Sequence, residues 1–412
     1  MNHKTHARQQ STQPLPGPSK PQPGTPPNYI STLLRLTLIL LAATLTARAQ
    51  WDIEDSHTTA SLRGIHNVGG GVAWASGTKG TVLRSEDGGY LWQTCTIPPG
   101  AENLDFRGIQ AFDENTAIVM SSGPGDQSRL YKTTDGCQSW HLLFTNPDKD
   151  GFWDAIKFSK DRSFGILLGD PVDNIFVVML TFDGGNKWER QTLRATQDIN
   201  GESVFAASNS SLLVSDPGYR LFGTGGRGGP RIISLGAGPT DVYEGDASKT
   251  KKLPWSTSLN AERLNSSSVS QTSGVFSLAE NHDGLDTMVA VGGDYMKPND
   301  RDDTAWTSVF VNSPDPKEMF GFHPAKTPPH GYRSSVAYDA TQKLWITVGP
   351  NGTDISRDDG KNWQPLKPSG YDPPDADKNW NALSLPFVVG PNGRIGRLRT
   401  IPSPTTKPEA TK

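Results

Sequence analysis

Cysteine is nearly absent. Cys95 and Cys137 are the only two in 412 residues, too few for a disulfide-built scaffold, and neither has a metal-ligand spacing to another cysteine or histidine, which excludes a structural zinc site. Charge of one sign is also lacking: 40 Lys and Arg against 43 Asp and Glu give a net charge of −3, with no long run of either sign. That excludes the electrostatic footprint of a nucleic-acid binder. A hydrophobic fraction of 34% excludes a multi-span membrane protein while leaving enough apolar residues for a packed core. What the chain has in quantity is 43 Gly and 32 Pro, a composition that favours many turns over long helices.

Residues 1–49 differ from the rest. Up to residue 32 the segment is polar and proline-rich, with Pro14, Pro16, Pro18, Pro21, Pro23, Pro26 and Pro27 in close succession, and is expected to be disordered. An apolar run from Leu36 to Leu45 follows Arg35 and precedes Ala47-Arg48-Ala49, the order of a secretory signal cleaved after Ala49. The run is about half the ~20 apolar residues of a spanning helix; an uncleaved anchor is the alternative. Export places the chain in the periplasm or outside the cell, with membrane contact only through the signal segment. In that oxidising setting Cys95 and Cys137 could pair, although they occupy different offsets in neighbouring repeats, which favours two free thiols.

A motif, Ser/Thr-x-Asp-x-Gly-x-x-Trp, recurs at Ser85-Asp87-Gly89-Trp92, Thr181-Asp183-Gly185-Trp188 and Ser356-Asp358-Gly360-Trp363; Thr133-Asp135-Cys137-Trp140 puts cysteine in place of glycine, and Ser313-Asp315-Lys317-Phe320 is a degenerate copy. Asp87, Asp135 and Asp183 fall at equal steps of 48 residues. The carboxylate can accept backbone N–H groups in a tight turn, the glycine takes positive φ, and the aromatic ring wedges between units. The motif is therefore a structural turn and carries no catalytic group.

Before each turn comes a glycine-marked hairpin, and before that a strand aligned seven times, with second residues Arg63, Arg107, Asp154, Glu202, Ser273, Arg333 and Asn381. A period of this size with several short strands per unit reads as an all-β, seven-bladed β-propeller over residues 50–402, followed by a disordered tail at 403–412. The seventh unit is one strand short, and the segment starting at Trp51 resembles the missing strand, so the N-terminal strand is expected to close the ring.

The tandem motif resembles the Asp-box, or BNR repeat, of sialidases, sortilin-type receptors and the photosystem II stability/assembly factor family. The full pattern from Trp74-Ala75-Ser76-Gly77 to Trp92 is most similar to the last. Gly169-Asp170-Pro171-Val172-Asp173, Phe222-Gly223-Thr224-Gly225-Gly226 and Val291-Gly292-Gly293-Asp294-Tyr295 resemble exported bacterial relatives of those factors. The resemblance implies a propeller that assists assembly or stability of a membrane or envelope complex.

Rotation about the propeller axis should bring the seven aligned positions to one level of the channel. Arg63, Arg107 and Arg333 would then form a fork for carboxylate or phosphate, flanked by Asp154, Glu202 and Asn381. This is the expected site for a protein partner or anionic ligand; Asp87, Trp92, Asp135, Trp140, Asp183, Trp188, Asp358 and Trp363 are the expected structural turn residues. The sequence gives no reason to expect a cofactor, catalytic residue, metal or oligomer. A sialidase-like glycosidase or carbohydrate-binding propeller is the alternative, since those enzymes also hold a carboxylate with three arginines. Gly223-Thr224-Gly225-Gly226-Arg227-Gly228 matches a dinucleotide fingerprint but opens no helix. Asp300, Asp302 and Asp303 lack the register of a calcium loop. Amino-terminal sequencing of the secreted protein should begin at Gln50; a mature chain that retains Leu36–Leu45 would establish an anchor instead.

Overall fold

Short strands joined by glycine-bearing turns can bury their apolar faces only by stacking against further copies of themselves. In the computed structural model, which describes residues 50–191, 199, 201–215, 220–235, 259–267, 269–281, 287–309 and 321–401, this happens seven times. The leader, the tail at 403–412 and the degenerate turn at Ser313–Phe320 lie outside these residues. Blade 1 spans Leu62–Thr94, blade 2 Phe106–Thr145, blade 3 Trp153–Arg190, blade 4 Leu212–Arg263, blade 5 Ser273–Pro324 and blade 6 Ser335–Pro365. Each is a four-stranded antiparallel meander; the sheet of blade 5 is extended by Gly225–Gly226 and Glu202–Ser203.

Blade 7 takes three strands from Ala382–Leu398 and its fourth from the other end of the chain. Trp51–Glu54 pairs antiparallel with Ile395–Leu398. The seam is reinforced on both faces. Trp51 stacks on Trp380 with ring centroids 5.9 Å apart, and Asp52 accepts from Arg397 and Arg399 at 2.9 and 2.5 Å. Burial alone would raise Asp52, but these two guanidiniums hold it below the usual carboxylate range. The Asp372 carboxylate accepts the N–H groups of Gln50 and Trp51.

The core lies between blades. Each neighbouring pair shares one apolar layer, as where Trp74 and Val82 of blade 1 meet Phe106 and Tyr131 of blade 2, or Leu344 and Ile346 of blade 6 meet Trp380 and Val388 of blade 7. The recurrent turns register these layers. In blade 1, Asp87 Oδ1 accepts the N–H groups of Tyr90 and Leu91 at 3.0 Å, Ser85 Oγ accepts that of Gly89, and Trp92 Nε1 donates to Gly89 O. Asp183 and Asp358 close the same ring of bonds, with Trp188 and Trp363 donating to Gly185 and Gly360 at 2.9 Å.

The turn glycine sits at positive φ and against the preceding blade. A Cβ on Gly89 would strike Phe387 of blade 7, on Gly185 Ile118 of blade 2, and on Gly360 Val289 of blade 5. Cys137 occupies this position in blade 2 with φ of 64°, and its side chain therefore points at blade 1, where Cys95 lies. The two form a disulfide with Cα atoms 5.3 Å apart. The free thiols expected from their unequal offsets are corrected: one cysteine is the turn residue and the other follows the outer strand of the blade beneath it. Trp140 follows suit, donating to Thr96 O of the preceding unit at 3.0 Å in place of its own turn.

Closing a loop of 42 residues stabilises the fold by about 4 kcal/mol in the chain-entropy account. Cys95→Ser should therefore cost roughly 2–4 kcal/mol in denaturant melts. Cys137→Gly removes the same bond but relieves a left-handed non-glycine residue, and should cost about 1 kcal/mol less. Equal losses would show that the backbone at residue 137 carries no strain.

Candidate functional site

Every innermost strand except that of blade 4 carries one bulge near the same mouth of the channel. Pairing skips a residue between Leu62 and Gly64, Phe106 and Gly108, Trp153 and Ala155, and Val275 and Ser277. Arg63, Arg107, Asp154 and Phe276 are the skipped residues. In blade 6 the Ser334 N–H donates to Val348 O although Val348 already faces Ser335, and in blade 7 Asn381 does the same at Val389, which faces Ala382. A bulge turns its side chain out of the pleat, here into the axis. All six residues line one cavity of about 540 Å3.

Blade 4 enlarges this bulge into a crossing. Ser203 faces Gly225 and Leu212 faces Phe222, and the intervening residues leave the sheet. Asn209 Oδ1 accepts the Ile156 N–H at 2.8 Å while its Nδ2 donates to Ile109 O, reaching blades 3 and 2. Ser208 Oγ donates to Ser334 O and Ser210 Oγ to Ser277 Oγ, reaching blades 6 and 5. The channel is thus blocked midway by a loop bonded to both sides of the ring.

The expected level of the ring is occupied by Arg63, Arg107, Asp154 and Asn381, and the alignment is corrected at three positions. Arg333 is one residue out of step: it takes the place of Leu62, faces into blade 6 and is fully buried. Its Nε donates to Asp354 Oδ2 at 2.9 Å and its Nη1 to Asn351 Oδ1 at 2.6 Å. Burial alone would raise Asp354, but bonds from His330 and Arg333 hold it low. Glu202 is buried against Arg231 at 2.5 Å, away from the cavity. Ser273 is three residues early, and Phe276 is its true equivalent. The missed signal was the glycine near the end of the second strand: Gly77, Gly169, Gly292, Gly349 and Gly390 each press against backbone at or just ahead of the first strand, where a Cβ would collide, and they mark its register.

The cavity has a charged side and an aromatic side. Asp105 serves both arginines, 2.8 Å from Arg107 Nε and 4.0 Å from Arg63 Nε; the Arg63 Nε has no hydrogen-bond acceptor. Burial, then the like charge of Arg107, lowers the Arg63 pKa against the pull of Asp105. On blade 3, burial and then Asp170 push Asp154 well above the usual carboxylate range, against Arg107. Burial also raises Asp170 to about 6, although its Oδ1 accepts the Val204 N–H at 2.8 Å. Opposite, Phe205 stacks on Phe276 at 4.0 Å, and Tyr332 meets Phe276 edge-on at 4.8 Å. Sequence reasoning missed Asp105, Asp170 and this aromatic group, because Asp105 and Tyr332 precede their strands, Phe205 comes from the crossing loop, and Asp170 and Phe276 sit at strand irregularities that the repeat alignment does not mark.

Other sequence features resolve simply. Gly223 ends a strand of blade 4, whereas Gly225–Gly226 pairs with Glu202–Ser203 in the sheet of blade 5, and neither opens a helix. Asp303 Oδ2 accepts from Ser266 and Ser267, and among the described residues no group of three His, Cys, Asp or Glu is arranged for a metal.

These features define a seven-bladed β-propeller with a blocked channel and a charged, aromatic cavity at one mouth. No protein-family model matches the chain, and no curated protein does. Solved structures do match. One is YCF48 bound to a D1 peptide, at 17% identity and a TM-score of 0.52 over 85% of this chain and 97% of that one. Another is YCF48 from Cyanidioschyzon merolae, at 16% identity and 0.54 over 85% and 98%. At such identity the likeness is one of fold.

Asp170 supplies a pH test. Below about pH 4 it is protonated in folded and unfolded chains alike. As pH rises towards 6 the unfolded chain ionises first, so the fold loses stability, on the order of 3 kcal/mol, and the loss is complete above that range. Asp170→Asn should remove this slope, raising stability at pH 7.5 by roughly 1–3 kcal/mol and leaving it within about 0.5 kcal/mol at pH 4. Thermal melts at the two pH values check it.

Proposed function

We propose that the protein is an exported, non-catalytic binding propeller that takes a segment of a partner protein at the Arg63 and Arg107 mouth and assists assembly or stability of a membrane or envelope complex. The observation that carries this is the imbalance at the mouth: two guanidiniums share the single carboxylate of Asp105, and Arg63 Nε is left without an acceptor. An incoming carboxylate completes that set with charge-assisted bonds, while an adjacent apolar side chain fits the aromatic wall at Phe205, Phe276 and Tyr332. A peptide seated on YCF48, a propeller of the same fold, supports a peptide ligand here. The signal-like leader and the Cys95–Cys137 bond support export, since disulfides persist in oxidising compartments.

The glycosidase alternative is disfavoured by the surroundings of the two tyrosines at this mouth, Tyr295 and Tyr332. A sialidase-type nucleophile needs a phenol activated by a neighbouring glutamate. Burial raises the Tyr332 pKa instead, and the described residues lining the cavity include no glutamate.

Selection against a displayed library of short peptides should enrich Asp, Glu or a free carboxyl terminus beside an aromatic or aliphatic residue. Each of Arg63→Ala and Arg107→Ala should weaken a selected peptide by about tenfold or more, the cost of a charged hydrogen bond, with little change in melting temperature. Selection of peptides without acidic groups, or full binding by the double variant, would overturn the reading.

A further inference from the structure

The crossing loop gives the channel a second, separate mouth. Along the innermost strands of blades 1 to 3, Arg63, Arg107 and Asp154 belong to the first cavity, whereas His66, Gln110 and Lys157, three residues further on, line another of about 780 Å3. Three residues of strand are ~10 Å, and the Ile109 and Ile156 backbones between them are bonded to Asn209.

Blade 3 makes this second cavity basic on one wall through Lys157, Lys160 and Arg162. Arg162 is partly engaged, donating to Phe112 O and lying 3.6 Å from Asp113. Lys157, half-buried on the strand Trp153–Phe158, has no hydrogen-bond or ion-pair partner among the described residues. His66 cannot serve as its acceptor, because its Nδ1 already takes the Ala111 N–H at 2.9 Å. Burial, with the nearby charge of Lys157, pushes His66 down to about 3, so it adds no charge. Glu280 stands in the lining from blade 5 and has a partner of its own. Leu213, Val214 and Leu278 of blades 4 and 5 make an apolar wall.

We infer that this second mouth binds a small oxyanion, a carboxylate or phosphate group, held against Lys157 with Lys160 and Arg162 at its rim, and that it does so independently of the Arg63 mouth. A lysine ammonium in a cavity, with no ion-pair partner among the described residues, is the group such a ligand would satisfy, and the apolar wall leaves room for a short hydrocarbon body.

The probes are inorganic phosphate and hexanoate, titrated into the full-length protein by calorimetry while the imidazole resonance of His66 is followed, assigned with His66→Gln. At least one probe should bind saturably, shift that resonance, and bind about tenfold more weakly to Lys157→Met. Hexanoate alone would indicate a carboxylate with an apolar body, and phosphate alone a bare oxyanion. Lys157→Met keeps the aliphatic stem and should melt no lower than wild type, so lost binding is not lost folding; Lys157→Gln should bind as weakly. The double variant at Arg63 and Arg107 should bind as wild type does, which separates this site from the peptide reading. Absence of saturable binding by both probes, undiminished binding by Lys157→Met, or an equal loss in the double arginine variant would overturn the inference.

Discussion

A ring of sheets holds only if its last blade is completed, and here four residues from one end of the chain do this for three strands from the other. Without Trp51–Glu54 on Ile395–Leu398, blade 7 would present an unpaired edge, and the buried layers on either side of it would open to water. The seam is therefore where hydrogen bonding, the Trp51–Trp380 stack and the Asp52 ion pairs coincide. Each remaining interface depends on this closure, because every blade has its apolar faces covered only by its two neighbours.

Closure also determines what the innermost strands can do. Six of the seven innermost strands share one irregularity, a bulge in which one residue leaves the ladder and points inward. In six blades that residue lines the first cavity. In blade 4 the same irregularity grows into a loop whose Asn209, Ser208 and Ser210 bond to four other blades. One structural device thus supplies the cavity wall and the partition that makes two mouths from one channel, with arginines and an aromatic group at one and lysines at the other.

Stability is given up at the first mouth. Asp154 is buried with one oxygen unsatisfied, and Asp170 beside it is held protonated to an unusually high pH. Neither arrangement strengthens the fold, and groups whose ionisation is disfavoured in this way concentrate at sites that meet ligands. Arg333 shows the contrast: with Asp354, Asn351 and His330 around it, its donors are engaged and it serves blade 6 alone.

Much of the architecture was legible in the sequence. The evenly spaced aspartates, the turn glycines and the orphan strand at Trp51 are local or periodic signals, and a repeating unit with two uncovered apolar faces has few ways to fold other than as a closed ring. The bulged residues of blades 1 to 3 and 7 were legible for the same reason. Register in blades 5 and 6 was not: the bulge of blade 5 lies three residues beyond Ser273, and in blade 6 a one-residue slip leaves the composition of a short strand unchanged while moving Arg333 from the channel to the core. The Cys95–Cys137 bond, the Asp105 link between two arginines and the path of residues 204–211 across the axis are contacts between units. Only the tertiary structure could decide them, because their geometry depends on how one blade is rotated against the next, and that rotation is set by the packing of the whole ring.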